Sequence, residues 1–107
     1  MRNGRVDHGY RLTDDVDAPA AVLTDPVSGR TLEIFTDAPG IQVYTGEFLP
    51  RPFSGVALET QRHPDAPNRP DFGDPTLRPG QTWRSTTRWR FTNSTNATDR
   101  HTSRPGR

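Results

Sequence analysis

The chain has 107 residues and a formal net charge of +1, its 14 basic residues all arginine and its 13 acidic ones spread among them. That balance indicates no polyanion-binding surface and hence no nucleic-acid partner. A hydrophobic fraction of 29% and a mean hydropathy of -0.90 leave room for one small domain with little core, while 11 prolines and 9 glycines work against long helices.

Met1 to Tyr10 has no apolar run behind Arg2 and Arg5, so it reads as neither a signal peptide nor a membrane span, and a cytoplasmic protein without membrane contact is expected. Ala20–Thr24 and Thr31–Thr36 are β-prone runs around Asp25-Pro26-Val27-Ser28-Gly29-Arg30, a hairpin signal. Gly40–Thr45 turns Ile41 and Val43 to one face and Gln42 and Tyr44 to the other. Gly55–Gln61 separates Val56, Leu58 and Thr60 from Ala57, Glu59 and Gln61 in the same way, so Glu59 points away from the apolar side. His63 to Pro75 is too rich in proline for a central strand and reads as a rigid connection. The clearest period-2 pattern runs from Gln81 to Phe91, with a strand expected over Thr82–Phe91 that puts Trp83 and Trp89 together on the core side and Arg84, Arg88 and Arg90 on the solvated side. Thr92–Arg107 is polar and reads as a disordered tail after a folded part over residues 1–91. An all-β or irregular chain remains, and these runs favour all-β.

The residues that could carry chemistry are few. They are Asp7 beside His8, Gln42 and Glu59 on polar strand faces, and the widely spaced histidines His8, His63 and His101. A strand carboxylate is most often a solvated surface group, and the histidine spacing fits no metal-ligand pattern. The absence of Cys removes disulfides, thiolate metal sites and a thiol nucleophile. In the last strand the arginines and tryptophans alternate onto opposite faces, whereas a base-stacking platform needs them on one.

Several segments follow one another in an order that resembles the aldose 1-epimerase (galactose mutarotase) family. They are Val6-Asp7-His8-Gly9-Tyr10, then Pro39-Gly40-Ile41-Gln42-Val43-Tyr44-Thr45-Gly46, then Leu58-Glu59-Thr60-Gln61 with Pro64-Asp65-Ala66-Pro67-Asn68, and Leu77-Arg78-Pro79-Gly80-Gln81 running into Ser85-Thr86-Thr87. The resemblance covers Val6 to Phe91 and corresponds to the carboxy-terminal portion of that family. It implies an antiparallel β-sandwich whose open face binds a free hexose and interconverts its α and β anomers without a cofactor or metal.

By the same resemblance Glu59 is the general base, while Asp7 and Gln42 hydrogen-bond sugar hydroxyls. The family's general-acid histidine lies upstream of the first motif, outside this sequence, so the chain alone is expected to be inactive. His8 belongs to the aspartate motif, and His63 stands where the family usually has an aromatic; both read as non-catalytic. Glu47 replaces the usual asparagine after Thr45-Gly46. Strand edges left by an absent segment invite self-association. A non-catalytic carbohydrate-binding β module and an arginine-rich interaction protein are the other classes the residues allow.

Overall fold

The first hairpin is set by one side chain. Asp25 accepts hydrogen bonds from the Val27 N–H at 3.1 Å and the Ser28 hydroxyl at 2.8 Å. Gly29 closes the turn at φ +79°, a backbone region that favours glycine, and donates to the Asp25 carbonyl at 2.8 Å. The flanking strands β2 (Ala21–Thr24) and β3 (Arg30–Thr36) pair antiparallel, with Leu23 opposite Leu32. The computed structural model describes residues 4–93.

Four more strands complete the fold: β1 (Asp7–Arg11), β4 (Gly40–Tyr44), β5 (Ala57–Gln61) and β6 (Thr87–Asn93). They form two three-stranded antiparallel sheets in the orders β1-β4-β5 and β2-β3-β6. The all-β class and the hairpin agree with the sequence reading. Among the described residues no helix is long and apolar enough to cross a membrane.

Register fixes what each face carries. In β2-β3-β6 one face bears Ala21, Leu23, Leu32, Ile34, Thr36, Thr87, Trp89 and Phe91, and the other bears Val22, Glu33, Phe35, Arg88 and Arg90. The arginines do more than face solvent: the Arg88 guanidinium lies 4.1 Å from the Phe35 ring centroid, and Arg90 reaches Glu33 at 3.6 Å. Phe35 is thereby only 9% exposed.

The two sheets meet through hydroxyls. Thr87 Oγ1 lies 2.9 Å from Thr36 Oγ1 in its own sheet and 2.9 Å from Thr60 Oγ1 of β5 in the other. Beside this bridge Ile34 and Ile41 are 1% and 3% exposed. Farther along the same face the sheets no longer cover each other, and Leu23, Leu32 and Phe91 line an open groove.

The structure departs from the sequence reading at several places. Asp7–Arg11 is a strand that the pattern did not announce. The last strand starts at Thr87 rather than Thr82, because β3 ends at Thr36, the partner of Thr87, and earlier residues have no strand to pair with. Trp83 therefore lies outside the strand, and Trp83 and Trp89 are 57% and 54% exposed. At its other end β6 runs through Thr92 and Asn93, two residues into the expected tail; residues 94–107 lie outside the described part.

The start of β6 is held by Asp37, whose Oδ1 accepts from the Thr86 N–H and the Ser85 hydroxyl, each at 3.0 Å. These bonds, the Thr86 N–H foremost, hold the Asp37 carboxyl below the usual aspartate range. A folded-state pKa lowered in this way adds stability above the unfolded value and loses it as pH falls through the folded one. Replacing Asp37 with Asn should flatten the loss of thermal stability below the ordinary aspartate range; an acid limb as steep as the parent's would refute the role. Thr87→Val keeps the shape but removes both hydroxyl contacts, and should cost about 1–2 kcal/mol in urea unfolding. An unchanged midpoint would mean that the bridge does not join the sheets.

Candidate functional site

In β4 the residues Gly40, Gln42 and Tyr44 share a face because side chains alternate along a strand, and the neighbouring strands add to it in register. Gly9, Gln42 and Glu59 form one rung across β1-β4-β5. Asp7, Tyr44 and Ala57 form the rung on one side of it, and Arg11, Gly40 and Gln61 the rung on the other. The opposite face carries His8, Tyr10, Ile41, Val43, Leu58 and Thr60, and it is the side from which Thr60 reaches the second sheet. Asp7, Gln42 and Glu59 are thus brought onto one face, turned away from the core.

Within this face Gln42 leans across β1, and its Nε2 donates to Asp7 Oδ1 at 3.0 Å. Gly9 makes that reach possible, since a Cβ there would stand 3.0 Å from Gln42 Oε1. Glu59 is exposed directly opposite Gln42, with Cβ atoms of such pairs about 4.5–5.5 Å apart. The row offers a carboxylate that can take a proton, beside an amide and a second carboxylate already oriented for hydrogen bonding.

The entry to β1 is clamped by residues near the site. Thr45 Oγ1 donates to the Gly4 carbonyl at 2.7 Å and accepts from the Val6 N–H at 2.9 Å. Glu47 pairs with Arg5 at 2.8 Å, and Tyr44 Oη accepts from the Phe48 N–H at 2.7 Å. Glu47 therefore fastens the strand that carries Asp7.

The histidines separate. His8 pairs with Val43 on the face opposite Glu59. His63, which the sequence suggests is an ordinary loop residue, lies over Gly40 on the Gln42 side, where a Cβ at Gly40 would come 2.7 Å from its Cε1. Its ring packs against Phe72 at 4.4 Å between centroids, and Arg69 covers Phe72 with its guanidinium 4.4 Å from the ring centroid. Arg69 is fixed by two bonds to Asp71, at 3.1 and 2.9 Å. That pairing raises the Arg69 pKa and lowers that of Asp71. A cavity of about 320 Å³ opens at this end, among Arg11, Pro39, His63, Asp71 and Phe72. Sequence reasoning missed Gly9, Gly40 and Phe72; the signal available was glycine recurring at alternate positions with polar residues. Among the described residues no group of three or more His, Cys, Asp or Glu is arranged to hold a metal ion.

The sequence profile of aldose 1-epimerase matches residues 1–90. The chain belongs to the aldose 1-epimerase family. It is 37% identical to the galactose mutarotase of Mus musculus over 97 residues, covering 79% of this chain and 28% of the mouse protein. It is 44% identical to the Homo sapiens galactose mutarotase over 75 residues, covering 60% of this chain and 22% of the human one. With the aldose 1-epimerase of Escherichia coli it shares 38% over 99 residues, 79% of this chain and 29% of the relative. The chain thus spans under a third of the length of these relatives. The all-β architecture of two antiparallel sheets is the part of the aldose 1-epimerase fold that these residues supply.

The packing of Gly9 generates a prediction. In Gly9→Ala the new methyl must push the Gln42 amide aside, while backbone effects of a glycine-to-alanine exchange stay within about 1 kcal/mol. The Gln42 side-chain amide signals should shift in the NMR spectrum, with the amide pattern of β4 and β5 retained. Unmoved Gln42 signals would show that Gly9 does not set its orientation.

Proposed function

We propose that this chain is the base-bearing, sugar-binding portion of an aldose 1-epimerase that interconverts the α and β anomers of free hexoses such as glucose and galactose. The observation that carries the reading is the row itself. Asp7, Gln42 and Glu59 come from three strands onto one face, with Gln42 and Asp7 already hydrogen-bonded, while Ile41, Val43 and Leu58 turn to the other side.

Opening a pyranose hemiacetal needs a proton removed from the anomeric hydroxyl and one delivered to the ring oxygen. Glu59 accepts the first proton. The electron pair released forms the carbonyl at C1, the bond from C1 to the ring oxygen breaks, and an acid protonates that oxygen. Rotation about the C1–C2 bond turns the other carbonyl face inward, and reclosure returns both protons and gives the second anomer. Asp7 and Gln42 hold ring hydroxyls so that the anomeric centre stays against Glu59. No cofactor enters this chemistry. The acid, a histidine in this family, comes on this reading from outside these 107 residues, so the chain alone turns over little.

The outer strands β1, β5, β2 and β6 each have one sheet neighbour among the described residues. Their outward N–H and C=O groups favour self-association on the same reading.

Optical rotation of freshly dissolved α-glucose tests the proposal. With the chain alone, relaxation should match buffer, since loss of a positioned acid forfeits about 10²–10⁴ in rate. In a protein that joins the chain to the remaining part of a relative, turnover should appear. There Glu59→Gln should lower kcat by about 10² or more with folding retained, and Gln42→Ala should act mainly on KM. Near-parent kcat in Glu59→Gln would remove Glu59 from the role of base. Rapid relaxation with the chain alone, abolished by Glu59→Gln, would place the acid within these residues.

A further inference from the structure

At the Gly40 end of the row stands a layered stack that sugar anomerisation by Glu59 does not use. Its base is the bare Gly40 backbone, on which the Nδ1–Cε1 edge of His63 rests at a distance that no Cβ would tolerate, 2.9 and 2.7 Å from where that carbon would be. Phe72 covers the imidazole at 4.4 Å with the planes tilted by 35°, and the guanidiniums of Arg69 and Arg11 approach Phe72 at 4.4 and 5.3 Å. Asp71 bonds Arg69 through both of its oxygens and reaches Arg11 at 3.5 Å. The short turns Ala66–Asn68 and Pro70–Phe72, each begun by or containing proline, bring Phe72 back over the end of β4. The imidazole is packed between the Gly40 backbone and Phe72, and neither of its ring nitrogens has a hydrogen-bond partner among the described residues. A half-buried imidazole that is held yet unpaired is suited to receive a ligand group.

Its position says which group. Gly40 lies two residues along β4 from Gln42, about 6.4–6.8 Å at the rise of a strand, and on the side away from Asp7. A hexose seated on the row with its anomeric hydroxyl at Glu59 and ring hydroxyls on Gln42 and Asp7 has one substituent with its own rotatable carbon–carbon bond, the hydroxymethyl arm. That arm can extend toward the Gly40 end of the row, where the His63 ring stands on the strand. We infer that His63 is a specificity-determining residue of the sugar site, its imidazole hydrogen-bonding the exocyclic hydroxymethyl group of a hexose and so favouring hexoses over pentoses. The inference rests on the reading of the row as the sugar site. His63 is then the polar tip of a rigid wall, with Phe72 and Arg69 as its backing.

Glucose and xylose test it, because xylose has the ring hydroxyl configuration of glucose and no hydroxymethyl arm. Each is titrated into the full isotope-labelled chain while the Gln42 amide, the Glu59 carboxyl and the His63 ring signals are followed by NMR. Glucose should move all three, and xylose only the first two. His63→Phe retains the stack on Phe72 and loses the hydrogen bond, so affinity for glucose should fall about two- to tenfold toward that for xylose, with xylose unchanged. His63→Gln, which keeps a donor and an acceptor without the ring, should recover part of the preference, and guards against a Phe variant that packs poorly. A His63 ring unmoved by glucose while Gln42 and Glu59 respond would overturn the role of His63 and leave the site standing. Equal losses for both sugars in both variants would do the same, by showing a merely structural part. If neither sugar moves Gln42 or Glu59, the site reading and the inference both fall.

Discussion

Thr87 joins the two halves of this structure. Its hydroxyl stands 2.9 Å from one threonine in its own sheet and 2.9 Å from another in the facing sheet, so the layers are tied by a polar contact where apolar packing is thin. Only Ile34, Phe35, Ile41 and Ala66 are buried apolar residues among those described, and two of them flank the bridge. Fixing Thr60 to Thr87 decides which face of β5 is inner. Because alternate residues of a strand face opposite ways, that one contact also decides that Glu59 is outer. The site thus inherits its orientation from a hydroxyl on the far side of the sheet.

On the outer face, absence of side chains does as much as their presence. Gly9 and Gly40 occupy positions whose Cβ atoms would meet Gln42 and His63 respectively. One vacancy lets Gln42 reach Asp7, and the other lets an aromatic stack rest on the strand. Both glycines have ordinary negative φ, so the need is for room rather than for an unusual backbone. The face built this way carries Asp7, Gln42 and Glu59 along its floor and the His63 ring at its Gly40 end.

What could be read from the sequence follows the same logic. The alternation in Gly40–Thr45 and Gly55–Gln61 gave the facing of Gln42 and Glu59 correctly, since half-buried strands leave a period-2 trace. The run from Gln81 failed at its first half for a reason no pattern holds: alternation records a chain's capacity to pair, and the partner β3 stops at Thr36. Asp7–Arg11 was silent as a strand because its inner face carries His8 and Tyr10, which give little hydrophobic contrast with Asp7, Gly9 and Arg11. The place of His63 depends on two turns bringing Phe72 back over β4, a long-range contact without a local signature. The arginine side of the last strand keeps Arg88 exposed, as its pattern indicates, but the partners of its arginines were not legible there. Its guanidiniums find Phe35 and Glu33, and a single strand's pattern cannot show that a neighbouring strand supplies them.

The geometry of the row does not depend on a large core. Its spacing is set by the main-chain ladders of β1-β4-β5, in which Gly9, Gln42 and Glu59 are opposite one another by register, and a slip of one residue would send Glu59 to the inner face and Leu58 outward. Such a slip would carry a carboxylate toward Ile41 and break the contact between Thr60 and Thr87, so both faces oppose it at once. The apolar face of β2-β3-β6 has no comparable constraint beyond the bridge, and there Leu23, Trp89 and Phe91 remain 42%, 54% and 76% exposed. Precision at the polar face and looseness at the apolar one are therefore compatible. Hydrogen-bonded register positions the chemically capable residues, whereas burial of apolar area, which carries most of a fold's stability, is left incomplete across the described residues.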